Sequence, residues 1–413
     1  MAVIGQSLQS VLGGGIRFAR PIVSYGGGDV SAQALGSLQE LSYKEGTEQT
    51  GDTVEMKLAD PEGLIRMSWS LKSATAITLA LESENWNYIG ERTYRDCGSF
   101  QVNRISIRQD KHSGSIVSIS ATSIPVSSNS RLEKKNKAWT NTTLQAMAQQ
   151  IASDNGLSLQ FQTQENPKIA RSDQHDESDF VLLDRHCQEN DLFLKVKSGA
   201  LWVISKEQME NQTPVGTIIC PKLDSPGGIN GGGVENWEIS ESTEDTYKGA
   251  KVSWRNNRTG QTVTGQTIDP KAVVGAMLHD KYIPHPEDLI PTQGKAPLFA
   301  TIQSIVQDIL PKQTPWPTTV LPSPIPIAET DAGMNARAKR VSRSKLKKKN
   351  RKGKKHQMTI PLNLRVEAGT VYTLQGFSPD FDGPWLVTEV EHKFAAKGGA
   401  TTGLNMQMSI QGY

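Results

Sequence analysis

Cysteine is scarce in this chain, with only Cys97, Cys187 and Cys220, an odd number, far apart and without a CxxC pair. That excludes a disulfide framework and argues against a structural zinc site, so maturation in a reducing cytoplasm is expected. No run of about 18 apolar residues occurs, which excludes a membrane-spanning helix. The first Lys or Arg is Arg17, so the start lacks the charged region of a secretory leader. Aromatic residues make up only 6%. The chain also lacks HExxH, GxSxG and Walker motifs. Its glycine runs at 26–28 and 227–233 do not match GxGxxG, so neither nucleotide binding nor a familiar hydrolase is signalled. No cofactor is expected.

What remains is a polar globular composition. The chain has 413 residues, 36% hydrophobic and 21% charged, with 36 glycines and 21 prolines. This is long enough for two to four domains and favours a β-rich body with many turns. Its 45 basic and 43 acidic residues nearly cancel, but not locally. Twelve basic residues and no acidic ones fall in one segment: Arg337, Lys339, Arg340, Arg343, Lys345, Lys347, Lys348, Lys349, Arg351, Lys352, Lys354 and Lys355. The rest of the chain therefore carries 33 basic against 43 acidic residues, a net of −10. These twelve are the candidate interaction residues, facing nucleic acid, an anionic surface or an acidic partner. A solvated helix or loop is the plainer alternative. Met334, Ala338 and Val341 are spaced i, i+4, i+7, which gives the first half of the segment one weak apolar helical stripe.

Periodicity places the other elements. Val54, Met56 and Leu58 alternate with polar residues as a strand, and Asp60-Pro61-Glu62-Gly63 turns it. Ala76–Leu79 and Phe100–Ile107 read as further strands. Lys111-His112-Ser113-Gly114 reads as a hairpin tip before a strand through Val117, Ile119 and Ala121. Leu144, Met147, Ala148 and Ile151 share one helical face, stopped by Asn155-Gly156. A second helix opens at Glu177-Ser178-Asp179, with Phe180, Leu183 and Cys187 inward. Strands 192–196 and 201–204 follow across a turn at Lys197-Ser198-Gly199. Residues 284–326 hold ten of the 21 prolines as extended spacers around one short helix, Phe299 to Ile309.

Other clusters that could carry chemistry have simpler explanations. Asp173, His175, Asp176, Glu177, Asp179, Asp184 and His186 lack ligand spacing, and acidic residues at a helix start are expected from capping and the helix dipole. His392 has no second ligand nearby and reads as a strand-face residue. Trp139, Trp202, Trp254 and Trp385 lie in different units and read as core or interface anchors. No catalytic, cofactor or metal residues are assigned, and the chain is read as a non-enzyme.

An internal repeat is the most informative feature. Phe100-x-Val102-x-x-Ile105-x-Ile107 has the layout of Trp385-x-Val387-x-x-Val390-x-His392 at an offset of 285. Upstream, Ala76-Ile77-Thr78-Leu79 is similar to Val371-Tyr372-Thr373-Leu374; downstream, a Lys/Gly turn precedes an alternating strand, Leu404, Met406, Met408 and Ile410 in the second copy. Order and spacing agree together, as expected of two similar β units in one chain. In a trimer, six such units could form a ring.

The sequence resembles the late-control D family, the baseplate hub proteins of tailed phages, which are related to the hub part of type VI secretion spikes. The resemblance rests on Asp52-Thr53-Val54-Glu55-Met56-Lys57-Leu58-Ala59-Asp60-Pro61-Glu62-Gly63, on Lys137–Leu144, on Glu177–Arg185 followed by Leu201-Trp202-Val203, and on Gly383-Pro384-Trp385-Leu386-Val387 with His392. It runs from about residue 50 to 410, and the Pro-rich and Lys-rich segments have no counterpart in it. It implies an α+β, mainly β fold. Two similar tube-like β-barrel domains would carry an inserted small α+β domain and a Pro-rich helical insertion. The expected boundaries are 1–125, 126–235 and 236–413, the last interrupted at about 284–356. It further implies a homotrimer in the virion tail baseplate, assembled in the host cytoplasm, that adapts a hexameric tail tube to a trimeric spike largely by strand pairing between subunits. Expected partners are the chain itself, the tail tube protein, the spike protein, other baseplate proteins and, as a further candidate, the tape-measure protein. Two other classes stay open on the residues alone. One is a tail-associated peptidoglycan hydrolase, which needs only two carboxylates. The other is a nucleic-acid-binding protein using 337–355.

Overall fold

The computed structural model describes residues 17–47, 51–69, 71–110, 114–124, 133–222, 224–229, 232–242, 249–255, 262–268, 318–320, 331–351, 353–396 and 399–409. The expected helix at 299–309, nearly all of the Pro-rich stretch, the hairpin tip at 111–113 and Lys352 lie outside them. The chain divides into two units, one made of 1–241 with 354–409 and one of 242–353 with 410–413. Among the described residues no helix is long and apolar enough to cross a membrane.

The first unit begins with β1 (Phe18–Tyr25), β2 (Gly28–Asp29), α1 (Ser31–Ser37), β3 (Leu38–Gly46), β4 (Thr53–Ala59), α2 (Leu64–Ser68), β5 (Ala76–Glu84), β6 (Arg92–Asp110) and β7 (Gly114–Thr122). Strands β3, β4, β7, β6, β5 and β1 follow one another in a single antiparallel array. The alternation read from the sequence has a physical cause here. Val54, Met56 and Leu58 turn inward to meet Ile77, Leu79, Phe100, Val102, Val117 and Ile119 in one core. Asp60 stops β4 by accepting from the amides of Ile65 and Arg66 at 2.9 and 3.3 Å, which starts α2.

A smaller α+β insert follows: β8 (Lys135–Thr143), α3 (Leu144–Asp154), β9 (Ser158–Gln162), β10 (Lys168–Glu177), α4 (Asp179–Glu189), β11 (Leu192–Lys197), β12 (Ala200–Ser205) and α5 (Lys206–Glu210). Both main helices carry hydroxyl caps. Thr143 Oγ1 accepts from Ala146 N at 3.2 Å and Ser178 Oγ from Val181 N at 3.4 Å. Leu144, Met147, Ile151, Phe180, Leu183 and Cys187 form its core with β11 and β12. The polar run 135–143 is a strand. It pairs with β10 along its length, and the Lys137 ammonium stands 3.7 Å from the centre of the Trp139 ring.

The chain then returns to the main sheet with β13 (Gly216–Ile219), β14 (Gly228–Ile229) and β15 (Asn236–Glu241). After β15 comes the second unit: β16 (Gly249–Arg255), β17 (Thr262–Ile268), β18 (Thr318–Val320) and α6 (Asp331–Asn350). Helix α6 seats Ala338 and Val341 on Val252 and Val263. Gly265 allows this approach, because a Cβ there would stand 2.1 Å from the Ala338 carbonyl carbon. The amide of Ser242 donates to Gly353 O at 2.8 Å, closing the unit where it leaves and re-enters the chain. The first unit ends with β19 (Lys354–Pro361), β20 (Val371–Gln375), β21 (Gly383–Ala395) and β22 (Gly399–Met408).

A second array runs β15, β19, β22, β21, β20, all antiparallel. It matches β3, β4, β7, β6, β5 residue for residue in register. Val102 opposes Ala121, and Ile105 opposes Ile119; Val387 opposes Met406, and Val390 opposes Leu404. The offset is 285 on both strands. The ladder slips at 102/104 in the first hairpin and at 387/389 in the second, again 285 apart. A β-bulge bends and twists its strand, so sharing one at the same place gives both arrays the same curl. Gly98, inside β6 at its slip against Leu79 and Ala80, and Gly383, the first residue of β21, are also 285 apart and both have positive φ, +89° and +130°. The second core is built from Met358, Ile360, Tyr372, Trp385, Val387, Val390 and Leu404.

Candidate assembly edges

The two arrays are joined within the chain. Residues Glu389–Ala395 of β21 pair antiparallel with Gly46–Glu40 of β3, seven residue pairs in all. The joint is well filled. Leu41, Tyr43, Val390 and His392 are wholly buried. Ser42 Oγ donates to Glu391 Oε1 at 2.7 Å, and Lys44 Nζ lies 3.6 Å from the same carboxylate. The His392 ring stacks on Tyr43 at 6.2 Å, and its Nδ1 lies 3.0 Å from Thr402 Oγ1. Burial, then the nearby Arg95 cation, lowers its pKa to about 3, so it is neutral at ordinary pH.

Beneath the joint lies a buried charge cluster. Glu45 of β3 pairs with Arg95 of β6 and, at 3.1 and 2.7 Å, with Lys195 and Lys197 of β11. Lys195 also reaches Asp52 at 3.1 Å. Burial alone would raise the Glu45 pKa, but Lys195, Arg95 and Lys197 outweigh it and hold the carboxyl at about 2. Burial wins at Asp52, which is raised. Arg95 also donates from Nη1 to the carbonyls of Leu364 and Val366, at 3.0 and 2.9 Å. The cluster thus ties together the first array, the insert and the segment before β20. Its charges are mutually paired, so it fixes these parts to one another.

The same strands leave two edges open. Among the described residues the second half of β6, residues 104–110, pairs with β7 on one side only, because β5 covers just 92–101. Among the described residues β15 pairs with β19 alone. Ile107 and Trp237 on these edges are 50% and 43% exposed, whereas their counterparts in the closed joint, His392 and Leu41, are fully buried. The sequence identified the Ile107 position through the repeat; β15 carried no alternation to find it by.

The twelve basic residues fall on several elements. Lys339, Lys348, Lys349 and Lys355 are exposed, and Arg337, Arg340, Arg343, Lys345 and Lys354 are half-buried. Lys347 and Arg351 are buried at 2% and 5% exposure. Ten of the described eleven belong to α6, to the turn after it or to the first residue of β19; Lys355 follows in β19 and lines a shallow cavity of about 410 Å³ with His356, Thr388, Glu389 and Asn405. The segment is therefore not a single face.

The acidic cluster at 173–186 is dispersed as well. Asp173, Asp176 and Glu177 sit on β10 rather than at the helix start. They pair with Arg171 at 2.9 Å, Lys134 at 2.8 Å and Arg185 at 2.7 Å. Asp179 meets Lys135 at 2.5 Å, and His186 Nε2 lies 2.8 Å from Ser172 Oγ. Among the described residues no group of three or more His, Cys, Asp or Glu could hold a metal ion.

Residues 107–398 match the family model of the phage tail baseplate hub (GPD), which covers most of the chain. The chain belongs to that family. Baseplate hub membership places it in the tail of a virion. Solved structures show the same fold at low identity. The 43 kDa tail protein of prophage MuSo2 from Shewanella oneidensis is 11% identical, with 94% of this chain and 98% of that chain aligned at a TM-score of 0.60. A tail protein from Neisseria meningitidis MC58 is 12% identical over 94% and 96%, also at 0.60. A chain of the Francisella PdpA–VgrG complex is 9% identical over 99% of this chain and 55% of that one, at 0.52. No curated protein matches the sequence.

Proposed function

We propose that this hub is a non-enzymatic symmetry adaptor: a homotrimer whose two arrays per chain present six similar units to a hexameric tail tube, while its threefold axis accepts a trimeric spike. The observation that carries this is the repeated array. One chain holds two five-stranded arrays of one sheet with the same strand order, the same register and the same bulge. A threefold set of such chains contains six near-equivalent units, so one gene product can meet neighbours of both symmetries. The buried Glu45 cluster supports the structural role, since it fixes the units to one another. The acidic remainder of the chain suits a passage that does not hold DNA by charge.

The test is the mass of the assembled full chain, alone and with tube and spike proteins of its own particle. The expected result is three copies that bind both. A species that stays monomeric with both partners present would refute the proposal. So would wall-degrading activity that is lost on changing a carboxylate pair.

A further inference from the structure

The joint inside the chain is a template for a joint between chains. In the intrachain joint, the second half of β21 lies against β3. The register that relates the two arrays makes 104–110 of β6 the counterpart of 389–395 of β21. It likewise makes β15 the counterpart of β3: Tyr43 opposes Val54, which opposes Ala121, and Ile239 opposes His356, which opposes Met406. One donor edge and one acceptor edge are used within the chain. The other donor, β6, and the other acceptor, β15, belong to different arrays at opposite ends of the succession.

We propose that residues 104–110 of β6 pair antiparallel with β15 and the residue after it, 236–242, in a second copy of this chain. The register is the one copied from the intrachain joint. Ile107 then faces Ile239, Arg108 faces Glu238, Gln109 faces Trp237 and Arg104 faces Ser242. This rests on the trimeric hub proposed above and names its interface.

Three observations favour a second copy as the occupant. The intrachain joint shows that sheets of this curl accept each other at these positions. The edges are complementary in charge: β6 brings Arg104 and Arg108 against one acid, Asp110, while β15 and its approach bring Glu235, Glu238 and Glu241, the last 3.6 Å from Lys354 of its own chain. The exposed apolar residues also coincide, since Ile107 and Trp237, half and nearly half exposed, stand where the template buries His392 and Leu41. Such a contact is head-to-tail, because β6 and β15 are different surfaces, and head-to-tail contacts either close into rings or grow without limit. Exposed sheet edges in natural proteins are otherwise blunted or covered, and pairing does both.

Cysteine cross-linking of the full-length chain tests the register. Arg108→Cys with Glu238→Cys places two thiols directly opposite, within disulfide reach after small adjustment. Under mild oxidation it should give a ladder ending at a covalent trimer. Arg108→Cys with Ile239→Cys puts the thiols on opposite faces and should give none. Each single variant controls for exchange with native thiols. In parallel, Arg108→Glu should weaken self-association about fivefold per joint, and adding Glu238→Arg should restore it. A trimer by mass with no ladder, and no effect of Arg108→Glu, would overturn the register while leaving the trimeric hub standing. A disulfide dimer from Arg108→Cys alone that persists when Cys220 is also replaced would mean β6 pairs with itself and would overturn the head-to-tail arrangement. A chain that stays monomeric and uncross-linked at every concentration would overturn this inference and the trimer with it.

Discussion

Glu45→Gln removes one charge and almost no volume, so it isolates the buried cluster. Glu45 is 3% exposed and faces three cations, two of them, Arg95 and Lys195, buried at 6% and 9%. Removing one partner of a buried ion pair costs about 3–5 kcal/mol, because the remaining charges keep their desolvation penalty. A second route gives a similar figure. The carboxyl is held at about 2 against an ordinary value of 4.5, a difference of roughly 3 kcal/mol at about 1.4 kcal/mol per unit. An exposed pair would give about 0–1 kcal/mol, so the measurement decides between the two. Because the folded pKa is depressed, the stabilisation is complete above about 4.5 and lost as the pH falls through about 2. Denaturant unfolding followed at pH 7 should show a loss of about 3 kcal/mol, or a Tm lower by roughly 3–5 °C. The wild-type excess over Glu45→Gln should shrink steadily from pH 4.5 towards pH 2. A double-mutant cycle with Arg95→Met should show coupling above about 1 kcal/mol. A loss below 1 kcal/mol at pH 7, or a difference that does not change with pH, would refute the account of the cluster.

Three further outcomes are expected. Phe100→Ala and Trp385→Ala remove equivalent large side chains that are 2% and 0% exposed; each should cost about 3–5 kcal/mol in denaturant titration, and a cost below 1 kcal/mol for either would show that the arrays are not equivalently packed. Gly265→Ala would drive a methyl into the backbone of α6, so limited proteolysis should cut within 242–353 far faster than in the wild type while the first unit stays protected; unchanged cleavage would mean that the close approach is not needed. Cys97 and Cys187 are buried, and burial raises the Cys97 thiol to about 12 and pushes Cys187 up as well, so a thiol reagent should label Cys220 in the folded chain and the other two only on unfolding; rapid labelling of all three would contradict the packing of both cores.

The parts of the fold that were readable are those buried on one face only. The strand through Val54, Met56 and Leu58 and the helix through Leu144, Met147 and Ile151 showed their periods because solvent lies on one side and core on the other. The offset of 285 was visible for the same reason, at Phe100, Val102, Trp385 and Val387. Strand β15 shows no such pattern because most of it is exposed on both faces. Run 135–143 is polar in sequence, and only its cross-strand partners make it a strand. The basic segment was counted as one feature, yet it crosses a helix, a turn and the start of a strand. Lys347 and Arg351 are buried there, which charge counting cannot show. His356 is another case. It occupies the core position matched by Val54, and burial lowers its pKa to about 4, so a polar residue in sequence behaves as a neutral core ring in the fold. The joint between β21 and β3 spans nearly the whole chain in sequence separation, so local pattern carries no trace of it.

The most direct measurement is the rotational symmetry of the tail baseplate containing this chain, seen by electron microscopy. Three copies are expected in one ring, with six similar sheet units facing the tube and β6 of each copy against β15 of the next. A ring of six copies, or three copies in which the two arrays occupy unlike positions, would contradict it.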